Sequence, residues 1–149
     1  MKKRNENKGF TLVELIVVLV ILAILAAILV PALLGYIDRA REKQYVLNAK
    51  SALTAAQAEL SSIYGEGGNL ADLTDDRKEV IQNTADVPGT AFTIGTNAAL
   101  TTTTTATSAN HDSYTIGTAL YEENGVSLYF NGSSWTQATT APTNPIQIW

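Results

Sequence analysis

The 149-residue chain has no cysteine, so no disulfide can close any part of it and no thiolate can hold a metal. Its only histidine, His111, sits in the run Asn110-His111-Asp112-Ser113. Those are triad residue types, but they are consecutive on a polar loop, whereas catalytic triads converge from separate elements. Nothing else supplies an orienting partner or an oxyanion hole, so no enzyme activity and no cofactor are expected. Positive charge is scarce as well. Four of the ten Lys and Arg residues lie in the first nine positions, and the rest of the chain carries six basic against thirteen acidic side chains, a net −7. That balance argues against a general polyanion-binding surface, and no specific nucleic-acid partner is expected. The one later concentration of positive charge, Arg39, Arg41, Lys43 and Lys50, alternates with Asp38 and Glu42 and reads as a solvated or intersubunit face. Asp72, Asp75, Asp76 and Glu79 offer the oxygen ligands Ca²⁺ prefers, yet the D-x-D-x-D-G order of a dedicated loop is missing. Acids stabilising a helix start explain them equally well, and no metal site is expected.

What the chain does have is an apolar run, Leu15 to Leu34, broken in character only by Pro31. Twenty helical residues at about 1.5 Å rise cover roughly 30 Å, the thickness of a bilayer's hydrocarbon core. Lys2, Lys3, Arg4 and Lys8 precede it and no matching cluster follows, which places the N-terminus in the cytoplasm and the body outside. An ordinary secretory signal has its small-residue cleavage site after the apolar run; here the small residue, Gly9, comes before it. Glu14 is out of place at the apolar end, since a carboxylate costs roughly 2.5 to 3.5 kcal/mol near the centre of a spanning helix. Cleavage between Gly9 and Phe10 would create an α-amino group, largely positive at neutral pH, four residues from that acid. Pro31 removes the bond to the Ala27 carbonyl, so a kink or local melting is expected there. Ala23, Ala26 and Ala27 let neighbouring helices approach closely.

From Tyr36 the pattern becomes amphipathic, with Val46, Ala49, Leu53, Ala56, Leu60 and Ile63 along one face. Gly65, Gly67 and Gly68 end it, giving one nearly continuous helix from about residue 10 to 64. Residues 69–82 read as a short helix capped by Asn69 or Thr74, with Leu70, Leu73, Val80 and Ile81 as its apolar side. Val87-Pro88-Gly89-Thr90 is a turn and Phe92-Thr93-Ile94 a short strand. Ala98 to Asn110, with the run Thr101 to Thr105, has too few large apolar groups to fix itself and reads as an exposed loop. Ser113 to Ile116, Ala119 to Glu122 and Val126 to Phe130 are β-rich, separated by turn signals of which Asn124-Gly125 and Asn131-Gly132 are the best in the chain. Trp135-Thr136-Gln137 pairs back onto Val126 to Phe130. The expected fold is α+β: the second half of the long helix packs on an antiparallel sheet of three to four strands within residues 92–137. Ile146, Ile148 and Trp149, in a proline-extended ending, tuck against the domain. Asn131-Gly132-Ser133 matches the N-glycosylation pattern and the Thr101 to Thr105 run offers hydroxyls for O-linked sugar, but the turn and the loop explain both stretches without it.

The basic leader ending in Gly9, followed by Phe10-Thr11-Leu12-Val13-Glu14 and the apolar helix, resembles the class III signal of type IV pilins. The resemblance is close over residues 1 to 35 and general beyond. It implies a pilin fold divided into a cleaved leader (1–9), a transmembrane and filament-core helix (10–35) and an extracellular globular domain (36–149). It also implies that a prepilin peptidase cleaves after Gly9 and N-methylates Phe10, and that Glu14 recruits the Phe10 amine of a neighbouring subunit. The implied partners are copies of the same chain in a helical filament, the peptidase, a platform protein, an assembly ATPase and the membrane. Many Gram-negative pilins close a C-terminal loop with a disulfide; its absence here points to a Gram-positive type. The expected function is that of a structural pilus subunit, single-pass in the cytoplasmic membrane as precursor and then extracellular. The alternative is a pseudopilin of a type II secretion-like system, or a minor pilin binding DNA or surfaces.

Overall fold

In a computed structural model of the chain, residues 9–101 and 103–149 are described. The leader cations Lys2, Lys3, Arg4 and Lys8 lie outside the described residues, as does Thr102 of the threonine run. The chain divides into two units, Met1–Arg41 and Glu42–Trp149.

Helix α1 spans Leu12–Gly65, two residues short of the expected start and one past the expected end. Helical geometry passes through Pro31 without the local melting that its missing N–H allows. In the first unit the apolar side chains are bare: Leu12 is 72% exposed and Leu34 58%. The helix is long and apolar enough to cross a membrane. Its C-terminus is closed by backbone alone. Gly67 takes φ +73°, the Gly68 N–H reaches the Ile63 carbonyl at 2.9 Å and the Gly67 N–H reaches that of Tyr64 at 3.1 Å, the double bond of a Schellman stop.

In the second unit, Ala49, Ala56, Leu60 and Ile63 of the expected stripe are buried, joined by Ala52 and Ala55, while Val46 and Leu53 are half-buried. The alanines leave room for large partners on the sheet, Phe92, Ile94, Tyr121 and Leu128. The short-helix region divides into a 3₁₀ turn, Leu70–Asp72, and helix α2, Asp75–Ala85. Both expected caps are used, Asn69 for the first and Thr74 for the second. Leu73 and Ile81 are buried as expected, but Val80, expected on the same side, is 51% exposed. Consecutive helical residues lie about 100° apart, and the α2 contact is too narrow to cover both.

The sheet has five strands, not three to four: β1 Ala91–Thr96, β2 Ile116–Glu123, β3 Val126–Phe130, β4 Trp135–Gln137 and β5 Pro145–Gln147. All pairings are antiparallel, in the order β4-β3-β2-β1-β5. Sheet pairing thus runs past the expected limit of residue 137. Asn124 and Gly125, both at positive φ, make the expected two-residue turn between β2 and β3. Ser113 and Tyr114 are not strand but close a 3₁₀ segment, Ser108–Tyr114, and β2 begins at Ile116. The Gln57 side chain explains that start: its Oε1 accepts the Ile116 N–H at 2.8 Å and its Nε2 donates to the Tyr114 carbonyl at 2.9 Å. Helix α1 thereby fixes where β2 enters. The threonine loop is exposed at Thr101, Thr103 and Thr105, yet it is tied down, since Leu70 and Ala106 bond Thr101 and Gly68 through backbone and the Tyr114 hydroxyl reaches the Gly68 carbonyl at 2.6 Å.

The C-terminal fastening replaces a covalent link by geometry. Leaving β4 at one edge, residues 138–144 cross the outer face of the sheet to reach β5 at the other. Pro142 is buried where the strap passes Gly95, the Thr143 N–H donates to the Thr118 hydroxyl at 3.0 Å, and Asn144 Nδ2 donates to the Thr96 carbonyl at 3.2 Å. A Cβ at Gly95 would collide with the Thr143 carbonyl oxygen and the Thr118 hydroxyl, so only glycine admits the strap. Trp149 then packs on Phe92 with ring centroids 5.0 Å apart, and Ile148 is buried. Phe92 also meets Tyr121 edge-on, and the buried Glu123 carboxylate beyond it accepts bonds from Tyr121 Oη and Asn48 Nδ2, both at 2.8 Å, with no cation paired to it among the described residues.

Two outcomes follow from these contacts. Gly95→Val should destabilise the detergent-solubilised protein by about 1–3 kcal/mol in urea, the usual cost of overpacking, while reductant leaves the wild-type melting temperature unchanged; wild-type stability in the variant would show that the strap does not depend on Gly95. Burial raises the pKa of the Tyr121 hydroxyl, reinforced by the Glu123 carboxylate, and burial also raises that of Tyr114. Protonated tyrosines therefore favour the fold: stability should be flat through neutral pH and fall as pH rises above about 10, the ordinary tyrosine value. A Tyr121→Phe/Tyr114→Phe variant should lose that alkaline slope.

Candidate processing and assembly site

Gly9, Phe10 and Thr11 precede α1 in non-helical backbone. Among the described residues, a Cβ on Gly9 would meet nothing within 4 Å, and Gly9 is not held at positive φ. Neither packing nor conformation within the chain therefore calls for glycine at that position. Phe10 is 80% exposed, so the Gly9–Phe10 bond and the side chain after it stand open.

Thr11 and Glu14 form a reciprocal cap. Glu14 Oε2 accepts the Thr11 N–H at 2.9 Å and the Thr11 hydroxyl at 2.7 Å, while Thr11 Oγ1 accepts the Glu14 N–H at 3.3 Å. Two of the helix's orphan donors are satisfied this way, and the carboxylate lies at the positive end of the macrodipole. This gives Glu14 an intramolecular reason to sit at the mouth of an apolar helix. The T-x-x-E spacing of a capping box is present in the sequence at Thr11 and Glu14, a signal hidden by the apolar run that begins beside it. Both bonds to the carboxylate fall on one oxygen; among the described residues Oε1 has no partner. One acid can thus hold its own helix start and still accept a bond from outside.

The other sequence candidates are not brought to this site. Pro31 lies within the same apolar helix, where it leaves the Ala27 carbonyl without its usual donor. His111 is exposed, its ring edge-on to Tyr64 at 5.4 Å and its Nδ1 3.4 Å from the Thr115 hydroxyl, with no serine or aspartate converging on it. The four acids of the 72–79 region are divided: Asp72 accepts the Asn69 N–H at 2.6 Å as a cap, Asp75 pairs with Lys78 at 3.5 Å, and Asp76 and Glu79 face solvent. Among the described residues no three acidic or imidazole side chains gather as a metal site would require. Arg77 ties α2 to Glu66, just past the end of α1, at 2.5 Å and to Glu59 of α1 at 2.7 Å, and these two bonds raise its pKa further. Asn131 spends its side-chain oxygen on the N–H groups of Ser133 and Ser134 at the β3–β4 turn.

Thr11→Ala should remove both bonds of the Thr11 hydroxyl and leave the Thr11 N–H bond to Glu14, at a cost of about 0.5–2 kcal/mol, and speed hydrogen exchange at Leu12 to Leu15 in lipid nanodiscs without changing the sheet. Unaltered exchange in that first turn would show that Glu14 alone holds it.

Comparison with known families places a match on this segment: residues 4–30 fit the model of the prokaryotic N-terminal methylation motif. Searches of curated proteins and of solved structures gave no match. That motif implies processing by a prepilin peptidase and association with a membrane, and it accords with a structural rather than a catalytic role. Carried at the start of a long N-terminal helix on an α+β body, the motif supports a prepilin-like protein, similar to type IV pilins or pseudopilins.

Proposed function

We propose that the chain is the structural subunit of a type IV pilus: cleaved between Gly9 and Phe10, methylated on the Phe10 nitrogen, and polymerised from the cytoplasmic membrane into an extracellular filament. The observation that carries the reading is the pairing of an open Gly9–Phe10 junction with a helix whose large apolar side chains, from Leu12 to Leu34, are all exposed. Bare apolar surface of that extent is stable only under lipid or under other protein. The globular unit has its own core, and none of those residues belongs to it.

Within this proposal each residue has a task. Gly9 lets the peptidase approach the backbone, and hydrolysis of the Gly9–Phe10 bond leaves an amine on Phe10 that is cationic at neutral pH. Glu14 keeps Oε2 on Thr11 and offers Oε1 to the Phe10 amine of a neighbouring copy. In a low-dielectric surrounding such a charge-assisted bond is stronger than in water, and it sets the register between copies. A bend at Pro31 would let the helix follow its neighbours in the filament. Platform protein and assembly ATPase would supply the machinery for extraction.

Mass mapping of the N-terminal peptide from sheared surface material tests this directly. The expected peptide begins at Phe10 and is heavier by one methyl group. Gly9→Leu should instead leave a membrane-retained precursor, and Glu14→Ala should be cleaved normally but yield few filaments. A mature Gly9→Leu chain of normal mass would refute the cleavage assignment, and abundant Glu14→Ala filaments would refute the pairing. Processed chain that remains in the membrane as a minor species would favour the pseudopilin reading.

A further inference from the structure

Beside the edge strand β4 a cavity of about 370 Å³ opens between α1 and the sheet, with Tyr45 and Trp135 as its aromatic walls. Its floor is apolar, made by Val46 of α1 and by Val126 and Leu128 of β3. Antiparallel register sets Trp135 opposite Phe130, and so on the same face of the sheet as the buried Leu128. The Phe130 ring holds the indole, with centroids 5.3 Å apart. Both walls are half-buried, so packing positions them while solvent still reaches them. Volume, apolar floor and aromatic walls suit a small ligand. The charge beside this cavity is of one sign. Glu42, one helical turn before Tyr45 and Val46, is the charged residue that lines it, and among the described residues no ion pair engages Glu42. Across the β2–β3 hairpin from Val126 stands Glu123, a second carboxylate without a paired cation among the described residues. Lys43 and Lys50 lie on the other flank of Glu42, in a separate groove, and line no part of this cavity.

We propose that this cavity binds a small organic cation bearing a trimethylammonium group, of the choline type, with its methyl groups on the apolar floor and its charge between Tyr45, Trp135 and Glu42. The faces of tyrosine and tryptophan rings are electron-rich, so walls and carboxylate attract the same kind of ligand. A metal ion would find one carboxylate where it needs several oxygens. A primary ammonium is strongly hydrated and would exchange that water for a floor without acceptors, whereas methylated nitrogen brings an apolar surface with its charge. A phosphate on the same molecule would be repelled by Glu42, so the ligand is the free cation rather than a phosphocholine head. The cavity lies wholly within the globular unit, and the assignment stands apart from the filament reading.

The chain has two tryptophans, which gives the test an internal control. Full-length protein in a maltoside detergent, which carries no choline, is titrated with choline chloride at constant ionic strength while both indole N–H resonances are followed by NMR. The Trp135 resonance should shift and saturate, and that of Trp149, packed on Phe92, should stay in place. The neutral carbon isostere, with tert-butyl in place of trimethylammonium, should leave Trp135 unmoved, and phosphocholine should bind more weakly than choline. Glu42→Gln should weaken choline binding by at least about threefold, as loss of one attractive charge requires, with an unchanged Trp149 resonance showing that the fold is intact. Lys43→Gln, in the neighbouring groove, should bind choline at least as tightly as the wild type. A Trp135 resonance that choline leaves in place, equal shifts at both tryptophans, an equal response to the isostere, tighter binding of phosphocholine, weaker binding by Lys43→Gln or unchanged affinity in Glu42→Gln would each overturn the assignment.

Discussion

Some twenty consecutive side chains on the first part of α1 stand exposed among the described residues, and water is a poor partner for them. The remaining architecture can be understood as what must surround that fact. Lipid covers such a helix in a precursor; other copies of it can do so in an assembly, with the alanines near Pro31 permitting close approach. The exchange between those two surroundings is nearly neutral in hydrophobic terms. Polar groups at the helix mouth therefore have disproportionate weight. Thr11 and Glu14 satisfy the first turn internally while leaving one carboxylate oxygen without a partner among the described residues, so the same residue could serve in both surroundings under the proposal above.

The globular unit meets a second constraint, the lack of any covalent closure. It responds with contacts that each join distant parts of the sequence. Gln57 pins the entry of β2 to α1, Glu123 draws in Asn48 and Tyr121, and the strap over Gly95 carries the chain to a fifth strand. Among the described residues the buried Glu123 carboxylate meets no cation and is held by its two donors. Such networks favour one arrangement of the core because any other leaves a charge unsatisfied.

Much of this was legible in the residues. The spacing from Val46 to Ile63, the glycines after Tyr64 and the Asn124-Gly125 turn all act locally, and the structure uses each as read. The missed features depend on remote partners. Nothing near Pro145 to Gln147 announces that β1 offers a free edge, so the fifth strand is invisible until the strap's path is known. Gly117 looks like a break in a strand; it stays within β2 because the Asn97 side chain occupies the space its missing Cβ leaves. Val80 looks like core by composition, and its exposure appears only once α2 is seen to rest on Ile81 and Ala85. At the candidate processing site Gly9, Phe10 and Glu14 stand out in the sequence, whereas Thr11 does not, because its partner looks like a lone acid in a greasy helix rather than half of a cap.

The most direct measurement of the central claim is a nitroxide placed on Ala26 through an introduced cysteine and examined in two settings. In membranes the account predicts a mobile label accessible to oxygen and hidden from water. In filaments it predicts strong dipolar broadening from labels on neighbouring helices, still without water access. A label that is bathed in water in the filament, or that shows no coupling to its neighbours there, would contradict the exchange of lipid for copies of the same helix.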